Sequence, residues 1–355
     1  MIVRRDVFDE DHRPTRLLHR ESETDLLLEA LDPGTDGSHR GHAVLSGSSG
    51  VGKTVLSKQC VERLRERRGT IDAHVRCLDV APGSIYRRTI ESFQRGPDDV
   101  PRTEPVADVL AMLEEIVADA DPAGVVILDE ADDIARDAVD TLSSMAGLSV
   151  VVICHEPERW FSRLDPGVRD RFTAGTHIPL DRFSVSELAD ILQRRAEAGL
   201  RRDAWSRAQL EAIADHQAGV ARDAIQSLRA AAEVADERGH DEIHDADIER
   251  GYELAKRDIR KANIRSLPFA YQFLYELIRV YGPVSSSRLY DLADAHQDDV
   301  WNERPSRPPS TNRTRRNQLA KLREYDLIET QNNVHEACDS SIEPSVEIRL
   351  SKKTL

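Results

Sequence analysis

Eight residues, "GSSGVGKT" from Gly47 to Thr54, restrict the fold of this chain more than any other stretch. They fit the pattern G-x-x-x-x-G-K-[ST] and lie between an apolar run, "HAVLSG", and a helix-forming run, "KTVLSKQCVERLRERR". Strand, glycine-rich turn and helix in that order make a phosphate-binding loop. Backbone N–H groups from Gly47, Ser48, Ser49, Gly50, Val51, Gly52 and Val55 can then curl around phosphate oxygens, with the positive end of the helix behind them. Lys53 would reach the β- and γ-phosphates, and the Thr54 hydroxyl would hold Mg²⁺. Lysine is scarce here, 7 in 355 residues, so a chance match is rare. The expected cofactors are ATP or ADP with Mg²⁺.

A second segment, "VVILDEADD", puts Asp129 and Glu130 at the end of an apolar strand. An Asp there can hold Mg²⁺, and the Glu beside it can orient and deprotonate an attacking water. Alone, such a strand end is commonplace. Downstream of a phosphate-binding loop it points to nucleotide hydrolysis.

Length and composition bound the rest. A chain of 355 residues has room for two or three domains with cores of their own. The longest apolar runs, "VVIL" and "VVVIC", are too short to span a bilayer. The opening "MIVRRDVFDEDHRP" lacks the apolar centre of a signal peptide, so a cytoplasmic protein with no membrane partner is expected. Cys60, Cys77, Cys154 and Cys338 are scattered and read as free thiols. The formal charge is −15, with 36 Asp and 28 Glu against 7 Lys and 42 Arg. A Lys-poor, Asp-rich surface suits concentrated salt, where dense carboxylates keep a chain soluble. GC-rich codon usage in an ordinary acidic protein is the alternative.

Four segments are expected: a loosely held opening at 1–13, an α/β core at 14–181, an all-helical unit at 182–262 and a third unit at 263–355. In the core, short β-branched runs alternate with helical ones, which predicts a parallel sheet with helices on both faces. In the helical unit, Ser or Asp at helix starts and Gly at helix ends separate several helices. The Pro-rich "RPSRPPS" reads as a stiff loop.

With its phosphate-binding loop, "LDEAD", "DPGVRDRF" and "GVARDAIQSLRAA", the chain resembles an AAA+ ATPase. "RPTRLLHRESETDLLLEAL", "LDPGVRDRF" and "GVARDAIQSLRAAAEVA" resemble the archaeal origin-recognition and cell-division-control initiators in particular. The likeness covers about residues 8 to 260 well and the remainder less tightly. It implies a P-loop core, a helical lid and a C-terminal winged helix that binds double-stranded origin DNA. It also implies a replicative helicase as a recruited partner, with other initiator subunits or further copies of the chain on DNA. Three positions take roles by resemblance. His155 stands where the family usually has Asn as a first sensor, a departure that bears on hydrolysis. Arg171 matches the arginine finger offered to a neighbouring subunit, with Arg169 as the competing candidate. Arg222 matches the second sensor, reaching from the lid onto the chain's own nucleotide.

The stretch from 304 to 323 holds seven basic side chains and no acidic one. Residues 301 to 355 carry 10 basic and 8 acidic groups, whereas the first 300 carry 39 and 56. Ser310 or Thr311 can cap a helix whose inward face is Leu319 and Leu322, leaving Arg313, Arg315, Arg316, Asn317, Lys321 and Arg323 outward. "DLIET" and "SVEIRLS" follow as the two expected strands of a wing. Cations gathered on one element of an acidic protein make a phosphate-binding face. The expected function is ATP-dependent replication initiation at an origin, with weak turnover. Two rivals stand beside it: a DNA-binding regulator with little turnover, and an AAA+ switch or transposition helper that grips a protein partner.

Overall fold

A computed structural model describes residues 1–9, 12, 14, 16–32, 41–93, 97, 99–120, 124–301 and 310–350. Residues 304–309 of the "RPSRPPS" stretch, with Arg304 and Arg307, lie outside them. After α1 (Glu21–Leu31), strand β1 (Ala43–Ser46) runs into the phosphate-binding loop and α2 (Lys53–Arg68). Then follow β2 (Asp72–Arg76), α3 (Pro82–Ser92), α4 (Val106–Ala118), β3 (Gly124–Asp129) and α5 (Arg136–Ser144). Strand β4 (Leu148–Cys154), α6 (Pro157–Arg163), α7 (Pro166–Thr173) and β5 (Thr176–Pro179) complete the unit. Among the described residues these strands form one parallel sheet in the order β2-β3-β4-β1-β5.

The apolar runs explain that sheet. β3 and β4 are buried at every position, because helices cover both faces. Side chains alternate between the faces. Val44, Val126, Leu128, Val150 and Val152 meet α3, α4 and α5, while Leu45, Val125, Ile127, Val151 and Ile153 meet α1 and α2. All functional strand ends therefore emerge on one edge.

The lid comprises α8 (Val185–Gly199), α9 (Arg207–His216), α10 (Ala221–Glu237) and α11 (Asp245–Ser266). Ser184 with Glu187 and Ser206 with Gln209 form capping boxes, the local reason two of these helices start where they do. Helices α10 and α11 cross closely at Gly251, where an added Cβ would lie 2.5 Å from the Ala231 backbone nitrogen. Backbone cannot yield as a side chain can, so Gly251→Ala should destabilise the lid by about 1–3 kcal/mol. Thermal unfolding measures this, and an unchanged Tm would contradict the close crossing.

The opening residues differ from expectation. Val7 and Phe8 are fully buried in the lid core with Leu188 and Leu192. Arg195 Nη1 donates to the Val7 carbonyl at 2.6 Å, and Gln226 Nε2 donates to the Phe8 carbonyl at 2.8 Å. Five apolar residues, Met1, Ile2, Val3, Val7 and Phe8, are too few in a polar stretch to show periodicity, yet the buried Val7 and Phe8 suffice to anchor it.

The third unit has α12 (Phe269–Tyr281), β6 (Val284–Ser285), α13 (Ser286–Trp301), α14 (Asn312–Glu324), β7 (Ile328–Gln331) and β8 (Val334–Ala337). Its strands form an antiparallel sheet, β6-β8-β7. The second hairpin strand is "VHEA", not the expected "SVEIRLS". Asn332 and Asn333, with φ of 49° and 64°, turn the chain after only two residues. Val346, Ile348 and Leu350 instead pack against the core of this unit.

Candidate nucleotide site and the helix that faces it

The loop after β1 satisfies its own polar groups in the way a phosphate would exploit. Gly47, Gly50 and Gly52 have φ of 139°, 75° and 100°, and a Cβ on Gly47 would collide with the Leu180 carbonyl. Lys53 Nζ donates to the carbonyls of Gly47 at 2.7 Å and Ser48 at 2.8 Å. Burial pushes its pKa down, against the attraction of Glu324 and Asp129. The Ser48 hydroxyl is buried without a hydrogen-bond partner among the described residues. An orphaned hydroxyl, glycines at positive φ and a buried ammonium fit the phosphates of a nucleotide. Beside them a cavity of about 430 Å³ is bounded by Ser49 to Val55, Leu17, Leu18, Arg195 and Ile225.

The ends of β2, β3 and β4 complete the site. Thr54 Oγ1 donates to Asp129 Oδ2 at 2.8 Å, so the two expected Mg²⁺ ligands already meet. His74 Nε2 lies 3.0 Å from the same oxygen. Burial alone would raise Asp129, but the His74 ring and the Thr54 hydroxyl hold it below the ordinary carboxylate range. Glu130 has φ of 53°, an uncommon value for a side-chain-bearing residue and a sign of local strain. Its carboxylate accepts from Arg76 Nε at 2.7 Å and from the Tyr325 hydroxyl at 2.9 Å, and Lys321 Nζ is 3.2 Å away.

His155 is held between two carboxylates. Nδ1 lies 3.0 Å from Asp132 Oδ2, and Nε2 lies 2.8 Å from Glu324 Oε1. Asp132 also accepts the backbone N–H of His155 at 2.7 Å. Only the imidazolium donates from both nitrogens. Desolvation opposes that charge, but Asp132 and Glu324 prevail and raise the His155 pKa. This pair of contacts should therefore stabilise the fold fully below His155's unfolded pKa of about 6.5, and the benefit should fade as pH rises through its higher folded pKa. Denaturation of the parent and His155→Asn across that range checks the sign: their difference should shrink as pH rises.

Arg222 reaches the loop through its backbone, its N–H donating to the Gly50 carbonyl at 3.3 Å. Its side chain meets Asp223 at 3.2 Å and Asn263 at 3.4 Å, both in the lid. Arg171 is engaged by Asp140 and by Ser143 Oγ at 3.2 Å, and Arg169 Nε donates to the Phe161 carbonyl at 3.1 Å. Both arginines are on α7, held within this chain.

Helix α14 departs from its expected orientation. Arg313, Arg316 and Arg323 are exposed. Arg315 is buried, with Nη2 on Asp294 Oδ1 at 2.6 Å and its guanidinium over the Tyr290 ring. It lies one turn before Leu319 and shares that inward face, which the arginine-rich composition masked. Lys321 is buried too, between Glu130 and Glu324. Despite desolvation, Tyr325, Glu130 and Glu324 around it raise its pKa. Asn317 Oδ1 accepts from Arg159 Nη2 at 3.1 Å. Sequence reasoning missed Arg76, His74, Asp132, Glu324 and Tyr325. The polar alternation in "DAHVR" was the available signal for His74 and Arg76, which share one face of β2.

A parallel sheet with the loop after β1, acidic residues after β3 and a helical lid define a P-loop ATPase of the AAA+ class, a nucleotide-binding protein. The model described as "AAA domain" matches residues 35–159, and "Cdc6 AAA+ ATPase-type lid domain" matches residues 189–253. ORC1-type DNA replication protein 9 of Halobacterium salinarum is 31% identical over 321 residues, 90% of this chain and 87% of that protein. ORC1-type DNA replication protein 1 of the same organism is 30% identical over 307 residues, 86% and 99% of the two chains. The chain belongs to the ORC1-type DNA replication proteins. Its Asp-rich, Lys-poor composition accords with these relatives from a salt-loving organism. Among solved structures, its fold is similar to the Aeropyrum pernix ORC1 protein in complex with DNA (TM-score 0.69, 21% identity, 94% and 92% covered). It is also similar to Cdc6p from Pyrobaculum aerophilum (TM-score 0.60, 24% identity, 97% and 95% covered). Among the described residues no helix is long and apolar enough to cross a membrane.

Proposed function

We propose that this protein is a replication initiator that binds origin DNA through its third unit under the control of ATP, and helps bring a replicative helicase to that DNA. The observation that carries this reading is the extent of the match: 90% of this chain aligns with an ORC1-type DNA replication protein, which takes in the ATP site and much of the third unit. The third unit has the parts of a winged helix, a helix with exposed arginines beside a short hairpin. ATP would lie on the loop from Gly47 to Val55, with Thr54 and Asp129 sharing Mg²⁺, and Glu130 would take the proton from water. Arg171 or Arg169 would complete the site of a neighbouring copy. In concentrated salt counterion release yields little, so Arg313, Arg316 and Arg323 would contribute most through base edges and groove shape.

A second reading, a regulator with little turnover, is favoured by the three contacts that hold Glu130. Footprinting the purified protein on genomic fragments separates them. Discrete protected sites at replication start points support the initiator, and promoter sites support the regulator. No protection would leave a protein-gripping switch.

A further inference from the structure

Three elements of the ATPase core meet at the contacts of α14. Asn317 meets Arg159 of α6, Glu324 meets His155 at the end of β4, and Lys321 and Tyr325 meet Glu130 at the end of β3. Arg76 ties the join further, reaching Glu130 at 2.7 Å, the Tyr325 hydroxyl at 3.2 Å and the Ser266 carbonyl at 2.8 Å. On a helix, 317, 321 and 324 fall on one stripe because they are spaced by four and three. Arg315, Gln318, Leu319 and Leu322 are buried on the other side of α14. The stripe toward the core thus shares the outward half of α14 with the exposed Arg313, Arg316 and Arg323, and a groove closing around those arginines would meet the core.

We infer that α14 is a latch: docked on the core it holds Glu130 and keeps a duplex groove from seating around its exposed arginines, so that DNA binding and latch closure exclude each other. This rests on the proposed DNA-binding reading and adds a mechanism to it. A duplex that captures α14 removes Lys321 and Tyr325 from Glu130, leaving Arg76 as the remaining partner from within the core. Conversely, a closed latch lowers apparent duplex affinity in proportion to its population. Duplex DNA therefore stimulates ATP turnover, and contacts that only close the latch oppose DNA binding.

Arg159 supplies a test whose sign is diagnostic. It belongs to α6, outside the groups placed at the nucleotide or on DNA. Removing a cation should weaken DNA binding if only electrostatics matter, whereas Arg159→Ala should strengthen binding to a mixed-sequence duplex about threefold, the scale of one lost hydrogen bond. Tyr325→Phe, which changes no charge at neutral pH, should shift affinity in the same direction and raise DNA-free turnover. Backbone hydrogen exchange in α14, read without DNA, should quicken in both variants. Unchanged or weaker duplex binding together with unchanged exchange overturns the latch. Faster exchange with no duplex binding by any variant supports the latch contact and overturns the DNA-binding reading.

Discussion

Replacing Lys53 with alanine should lower ATP affinity about a hundredfold. Lys53 is almost fully buried at the first turn of α2, and its ammonium sits on two carbonyls of the loop it closes. A phosphate entering that loop would meet this ammonium where water is largely excluded. Charge-assisted hydrogen bonds there contribute about 1.5–3 kcal/mol each, and a factor of ten corresponds to about 1.4 kcal/mol. Salt screens a buried pair far less than an exposed one, so the loss should persist in concentrated salt. Calorimetric titration with ATP measures it, with circular dichroism as a check on the fold. Affinity within twofold of the parent would remove Lys53 from the phosphate site.

Glu130→Gln should leave ATP binding nearly unchanged and lower ATP turnover about a hundredfold, the lower end of what a general base contributes. Glutamine preserves the shape and can still accept from Arg76 and Tyr325, but it takes no proton from water. The change also removes the charge opposite Lys321, which loosens that contact of α14. Single-turnover phosphate release separates chemistry from product release. Turnover equal to the parent would exclude Glu130 as the base.

The candidate nucleotide site was legible because the residues proposed for it are contiguous. Eight residues spell the loop, and Asp129 and Glu130 close an apolar run that reads as a buried strand. The neighbours of Glu130 were not legible for the opposite reason. Arg76 and Tyr325 are 54 and 195 residues from it in sequence. Arg76 reaches it because β2 pairs beside β3 with Arg76 opposite Asp129, and a strand order is not written in any one strand. Composition misled at α14: a stretch without acidic residues reads as uniformly outward, while helical geometry turns Arg315 toward Asp294. The tight Asn332–Asn333 turn is a hairpin signal only two residues long, and the longer apolar alternation at 345–351 outweighs it in sequence.

The anchoring of Val7 and Phe8 has a consequence for how this chain is made. Their partner Arg195 comes 188 residues after Val7, so two apolar side chains leave the ribosome long before the lid that shelters them exists. At roughly 5–20 residues per second, that interval is on the order of ten to forty seconds. Throughout it the front of the chain waits for α8 and then α10, the lid helices that carry Arg195 and Gln226.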